Sequence, residues 1–188
     1  MQLEKELFTA LFEANKNRVI ELIERNKIDI NKYSEFSSEN SILIESLLCQ
    51  SEFKGSQKQL EIVNFLIENN VNLNWKNKRG FNALHIALEY HELSKISLAL
   101  IKTGKMDINI AEEKNGNNPI FTAIREYGKT WREEQKELNK IRFEIIKELL
   151  NLGADLDKLN KSGISSRRWI EISNDKKLHE LIEKHDAK

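Results

Sequence analysis

Four histidines, one cysteine and a set of spaced acidic pairs are the side chains of this sequence best suited to chemistry. His91 and His179 are each followed by glutamate, the opening of a zinc-protease helix. That motif needs a second histidine four residues on, so that both ligands share one helix face. Lys95 and Glu183 stand there instead, so neither motif is complete. His185 lies near the end of the sequence, and His85 is taken up below. Cys49 is the only thiol, which excludes an intrachain disulfide and a four-thiolate zinc site. It follows the apolar run Ile42-Leu43-Ile44 and Leu47-Leu48, and reads as a buried structural thiol in a reducing compartment, the cytoplasm.

The pairs Asp29/Asn31, Asp107/Asn109 and Asp155/Asp157 carry the oxygen ligands that calcium takes. A calcium loop of the EF-hand type needs further ligands and a bidentate glutamate at its twelfth position, and these pairs lack that setting. Glu133-Glu134 sits among lysines and arginines and reads as a solvated face rather than an acid/base dyad. The seven glycines are scattered, so no phosphate-cradling loop is present. No nucleophile has an oriented base beside it. The expectation is a non-enzymatic chain with no catalytic residue, no metal and no cofactor.

The acidic pairs recur because larger units recur. A short helical pattern, A, appears as Leu7-Phe8-Thr9-Ala10-Leu11, Leu43-Ile44-Glu45-Ser46-Leu47, Leu84-His85-Ile86-Ala87-Leu88 and Ile120-Phe121-Thr122-Ala123-Ile124. Large apolar residues at i and i+4 share a helix face with a small residue at i+3, which lets a neighbouring helix approach closely. A second pattern, B, appears as Leu22-Ile23-Glu24-Arg25-Asn26, Leu66-Ile67-Glu68-Asn69-Asn70, Leu100-Ile101-Lys102-Thr103-Gly104 and Leu149-Leu150-Asn151-Leu152-Gly153. Its fifth residue is always Asn or Gly, the types that tolerate the left-handed conformation closing a helix. Each B is followed by an apolar/polar alternation such as Val71-Asn72-Leu73-Asn74 or Ala154-Asp155-Leu156-Asp157, which reads as extended chain.

This order resembles the ankyrin repeat, with its period of about 33 residues and its signature T-P-L-H-x-A. Gly80-Phe81-Asn82-Ala83-Leu84-His85-Ile86-Ala87 is the best match, with Asn82-Ala83 in place of Thr-Pro. Gly116-Asn117-Asn118-Pro119-Ile120-Phe121-Thr122-Ala123 is the next, and Pro119 suits a first helical turn. The resemblance implies an all-α ankyrin-repeat solenoid of about five helix pairs with short hairpin-like fingers. It also implies that His85 hydrogen-bonds backbone near its turn.

The repeats divide residues 1–188, a single domain, into an N-terminal cap (3–32), three repeats (33–76, 77–110 and 111–158) and a C-terminal cap (159–188). Arg167 stands where a core aliphatic is expected, so Trp169, Ile170, Leu178, Leu181 and Ile182 are left to close the core. Two repeats carry extra residues between A and B, at 50–57 and at 127–140. In the family geometry such insertions lie at the edge away from the fingers. The second is dense in both signs of charge and extends a solvated helix.

The resemblance also implies an extended concave surface made from finger tips and the exposed ends of A helices. By alignment the residues free to contact a partner are Lys78, Arg79, Phe81, Glu89 and Tyr90 in one repeat and Lys114, Asn115, Asn117, Arg125 and Glu126 in the next. Lys161 and Ile164 follow in the last unit, and Trp131 adds an aromatic on the second insertion. Trp75 lies at a finger base. Thirty basic and thirty acidic residues give zero net charge, which argues against nucleic acid as the main ligand. No apolar run approaches the roughly 20 residues that span a bilayer. The charged start, Met1-Gln2-Leu3-Glu4-Lys5-Glu6, is not a signal peptide. Repeats and caps consume the chain, so its expected role is to bind a protein and it is expected to be monomeric when free. Small ankyrin proteins of this kind are similar to bacterial immunity proteins that neutralise a cognate toxin. That likeness implies a stoichiometric inhibitor, with a scaffold or adaptor as the alternative.

Overall fold

The computed structural model describes residues 2–32 and 39–187. Among the described residues ten α-helices follow one another: α1 (Gln2–Phe12), α2 (Lys16–Asn26), α3 (Ile42–Ser46), α4 (Gln57–Glu68), α5 (Ala83–Glu89), α6 (Ser94–Lys102), α7 (Pro119–Tyr127), α8 (Lys136–Asn151), α9 (Ser166–Glu171) and α10 (Lys176–Asp186). No β-strand forms among the described residues. The odd-numbered helices are the A series and the even-numbered ones the B series. Each pairs with its hairpin partner, and each series packs along itself, α1 on α3, α3 on α5, α5 on α7 and α7 on α9. The result is the two-layered helix-pair solenoid implied by the sequence pattern.

Local chemistry fixes where each A helix begins. Ser41, Asn82, Asn118 and Ser165 stand at equivalent positions and accept a backbone N–H three residues on, from Ile44, His85, Phe121 and Arg168. These caps satisfy donors that the first turn leaves unpaired. The small residues Ala10, Ser46, Ala87 and Ala123 are buried between neighbouring A helices, with Leu7, Leu43, Leu84 and Ile120 beside them in the core. The B helices end as expected at Asn70, Gly104 and Gly153, all at positive φ. In the first unit the left-handed residue is Lys27, not Asn26, whose side chain instead donates to the Leu22 carbonyl.

The alternation after each B helix forms turns, and its acidic and amide side chains have a structural task. Asn31, Asn74 and Asn109 each accept, through Oδ1, the backbone N–H of the next repeat's turn: Asn72 at 2.6 Å, Asp107 at 2.7 Å and Asp155 at 2.8 Å. Asn74 and Asn109 also donate to the carbonyls of Lys105 and Gly153. Asp29, Asn72, Asp107 and Asp155 close their own turns onto the N–H two residues on. The pairs that look like calcium ligands are thus the rungs of a repeat-to-repeat ladder.

At the C-terminal end Ile170, Leu178 and Ile182 are buried, whereas Trp169 lies at the surface, edge-on to Phe121. Arg167 bonds Asp157 at 2.7 Å and Asp186 at 2.6 Å, tying α9 to the preceding turn and to the end of α10. Both carboxylates raise its pKa further above an already basic value.

Candidate functional site

His85 and Cys49, the residues most capable of chemistry, serve the scaffold. Cys49 is buried, and burial pushes its thiol pKa up. His85 sits inside the first turn of α5. Its Nδ1 receives the Asn82 N–H at 3.3 Å and its Nε2 lies 3.1 Å from the Ile110 carbonyl. Burial lowers its pKa, so the ring is held neutral and bridges a helix start to the next finger.

The fingers are built around one acceptor each. Asn77 Oδ1 takes the N–H groups of Arg79 and Phe81, and Asn160 Oδ1 those of Ser162 and Ile164. The middle finger is one residue longer, and a longer side chain, Glu112, fills the role. Its carboxylate accepts from Lys114 at 2.6 Å, Asn115 at 2.9 Å and Asn117 at 3.2 Å. Burial alone would raise the Glu112 pKa. The N–H groups of Asn115, Asn117 and Lys114 outweigh it and hold the carboxyl below its ordinary value. The tips stay outside: Lys78, Arg79, Lys114, Asn115, Lys161 and Ile164 are exposed.

Two residues beyond the inner core position of each A helix (Ala10, Ser46, Ala87, Ala123 and Ile170), a side chain stands in the same register. In chain order these are Phe12, Leu48, Glu89, Arg125 and Ile172. Phe12, Leu48 and Ile172 are exposed, and Glu89 pairs with Arg125 at 3.1 Å between them. Two clefts open along this row. One, about 370 Å³, is lined by Leu48, Arg79, Phe81, Ile86, Glu89 and Tyr90. Lys54 lies 3.9 Å over the Tyr90 ring at its edge. The other, about 640 Å³, is walled chiefly by Ile124, Tyr127, Trp131, Trp169, Ile172 and Leu178. Trp131 is 78% exposed at its rim, with the Arg132 guanidinium 5.4 Å from the ring centre.

Most residues expected at the surface are there, but two are not. Asn117 is only 5% exposed because its backbone closes the Glu112 turn and its Oδ1 accepts from Asn160. Glu126 is only 3% exposed. Its carboxylate bonds Lys129 at 2.6 Å and Arg125 at 2.9 Å, and His91 lies 3.5 Å away. Burial opposes ionisation there, yet Lys129 and Arg125 hold the Glu126 pKa below its usual value. His91, from the turn that follows α5, reaches Glu126 from the neighbouring repeat, and beside it the second insertion closes between the end of α7 and α8. Thr130 donates to the Tyr127 carbonyl, Asn139 donates to Thr130, and Tyr127 packs against Phe143 of α8. Tyr127, buried and bonded to Asp175, has its pKa pushed up to about 12. Arg142 of α8 is also buried, bonding only the Leu88 carbonyl, and burial lowers its pKa to about 10. The expected solvated helix is present as well, since Lys136 pairs with Glu133 and Lys140 with Glu137 on exposed turns.

The sequence reading missed Phe12, Leu48 and Ile172 and assigned Trp169 to the core. Their signal is positional: each aligns with Glu89 or Ile86 once Ala10, Ser46 and Ile170 are set against Ala87. The face they complete offers apolar anchors flanked by charge, the arrangement by which protein surfaces recognise one another.

A family model described as ankyrin repeats, in three copies, matches residues 52–160. No curated protein matches the chain.

Proposed function

This chain belongs to the ankyrin-repeat family, whose repeats are protein-interaction modules, and we propose that it binds one protein partner across the row of A-helix ends and the adjoining finger tips. The observation that carries this reading is the row itself. Phe12, Leu48 and Ile172 are large apolar side chains left outside a well-packed core, and Leu48 and Ile172 each line a cleft. Lys78, Arg79, Phe81, Glu89, Tyr90, Lys114, Asn115, Arg125 and Trp131 are the contact residues proposed with it. Asn117 and Glu126 support that face from beneath.

The finer proposal is a stoichiometric inhibitor of the immunity type, which neutralises a cognate toxin by covering its surface. Its physical support is pre-organisation. The ladder through Asn31, Asn74 and Asn109 ties each repeat to the next, so little binding free energy is lost in ordering the face. An adaptor joining two proteins is the second reading, favoured by the separation of the two clefts on different repeats.

The test is capture from the native host followed by reconstitution with the purified partner. One partner bound one to one, whose toxicity to growing cells is abolished by co-expression and restored by Tyr90→Ala with Trp131→Ala, supports the inhibitor. Simultaneous binding of two proteins supports the adaptor. A partner whose affinity neither substitution alters overturns the proposed face.

A further inference from the structure

We propose that the partner presents an acidic segment carrying a large apolar side chain, the carboxylates lying along the fingers and the apolar group entering the smaller cleft. This inference rests on the binding face proposed above and adds the chemistry of what it receives.

Although the chain as a whole is neutral, its fingers are not. The segments 76–81, 112–117 and 158–164 bear six exposed bases, Lys76, Lys78, Arg79, Lys114, Lys158 and Lys161. Against them stands one exposed acid, Glu113, because the Glu112 carboxylate is buried and spent on backbone N–H groups. Of the nearby aspartates Asp157 is paired with Arg167, while Asp107 and Asp155 close the turns that precede the fingers and keep their charge there, behind the rim. Lys78 is partnered by Glu39, and Lys158 and Lys161 donate to the carbonyls of Asn109 and Glu113, contacts that leave the last two charges uncompensated. Lys76, Arg79 and Lys114 form no ion pair among the described residues.

The fingers form one continuous rim. Lys161 donates its backbone N–H to Asn115 of the preceding finger, and Glu113 packs over Gly80 of the one before. This rim joins the cleft directly, since Arg79 and Phe81 belong to a finger and also line the cleft with Leu48, Ile86 and Tyr90. The recess is mixed, with Asn40, Asn77 and Glu89 beside an apolar wall of Leu48, Phe81, Ile86 and Tyr90, and a row of cations next to that wall selects a ligand with both a negative charge and an apolar group. Single-stranded nucleic acid offers negative charge beside aromatic bases, but it favours a chain with a basic excess, which this one lacks. Acidic protein surface with an apolar anchor satisfies both features, and charge on the fingers would steer its approach.

The experiment is selection of the purified protein against a displayed library of random dodecapeptides, with fluorescence anisotropy on the enriched peptides. The expected consensus holds several Asp or Glu and one Leu, Ile, Phe or Trp. Affinity should fall about tenfold or more with Arg79→Glu plus Lys114→Glu, and similarly with Tyr90→Ala. All three positions are exposed, and unchanged thermal melting of the variants certifies their folds. Peptides that compete for this face but lack acidic character would overturn the inference while leaving the binding face intact. Displacement by a single-stranded oligonucleotide at equal charge concentration would overturn it in favour of nucleic acid. Recovery of no peptide sensitive to these substitutions would overturn the binding face itself.

Discussion

Replacing Asn82 with threonine should stabilise the protein, and the reason lies in the geometry of a single cap. In α5 the Asn82 Oδ1 accepts the His85 backbone N–H at 3.0 Å, while the same oxygen lies 2.8 Å from His85 Nδ1. The ring is neutral, and the Ile110 carbonyl 3.1 Å from Nε2 calls for the proton on that nitrogen. Nδ1, which accepts the Asn82 N–H at 3.3 Å, then also faces a second acceptor. Asn82 Nδ2 meanwhile is buried with no partner. A threonine hydroxyl resolves both faults, because it accepts from the His85 N–H and donates to Nδ1. An orphaned buried donor costs about 1–3 kcal/mol. Threonine caps slightly less well than asparagine, a loss of a few tenths. The net gain is about 1 kcal/mol, or about 2–4 °C in melting temperature for a chain of this size. Asn82→Val is the control, isosteric with threonine but without the hydroxyl. Thermal and urea melts at pH 7.5 should rank threonine above wild type and valine at least about 1 kcal/mol below threonine. Equal stability of the threonine and valine variants would refute the assignment of the His85 tautomer and of the cap. The same geometry fixes a pH effect. A histidine whose pKa is lowered by folding contributes stability that is complete above its unfolded value, about 6.5, and is lost as pH falls below it.

Other substitutions test other joints of the structure. Glu112→Gln should cost about 1.5–3 kcal/mol, because three N–H groups lose a charged acceptor, read by urea denaturation at neutral pH. Since folding depresses this carboxyl, the wild-type advantage is present above its ordinary pKa of 4.5 and should vanish as pH falls through the lower folded value. Gly55→Ala should cost about 2 kcal/mol or more in the same assay, because φ is +73° and the new Cβ would meet the Glu92 carbonyl oxygen at 2.1 Å. Asn109→Ala removes two bonds to the next repeat, at 2.8 and 3.0 Å, and should cost about 1–2 kcal/mol, with hydrogen exchange accelerated around Asp155. Arg142→Met should be neutral or stabilising, because the guanidinium is buried with Nε and one terminal nitrogen unpartnered, and melting below wild type would contradict that account.

The parts of this molecule legible in the sequence are those dictated by local backbone chemistry. Pro119 announces a helix start, Gly104 and Gly153 announce helix ends, and the small residue in the first four A helices marks the packing seam. These signals act within one turn of helix, so they survive in a one-dimensional reading. The ladder was visible as a recurring Asp/Asn spacing, but its meaning was not. A side chain that bonds a residue 33 to 46 positions away carries no local mark of its partner. The same limit explains Glu126. At the end of an amphipathic helix a glutamate belongs in water; its partners Arg125 and Lys129 are local, but it is buried and His91 of the preceding repeat lies 3.5 Å away, a tertiary setting that no local pattern marks. The carboxylate that looks free is therefore part of the support of this face.

That support also bears on recognition. Arg125 is held between the exposed Glu89 and the buried Glu126, at 3.1 and 2.9 Å. One end of the guanidinium is therefore fixed by a carboxylate that water barely reaches, while the other reaches the face where a partner would sit. An ion pair between two free surface side chains contributes little, because both must be immobilised to make it. Here part of that ordering is completed on folding. A partner that meets the Glu89–Arg125 bridge meets a charge pattern already in place, bounded by the cleft of Leu48 and Tyr90 on one side and that of Ile172 and Trp131 on the other. The buried glutamate, invisible as a contact residue, thus shapes the one polar stretch of an otherwise apolar row.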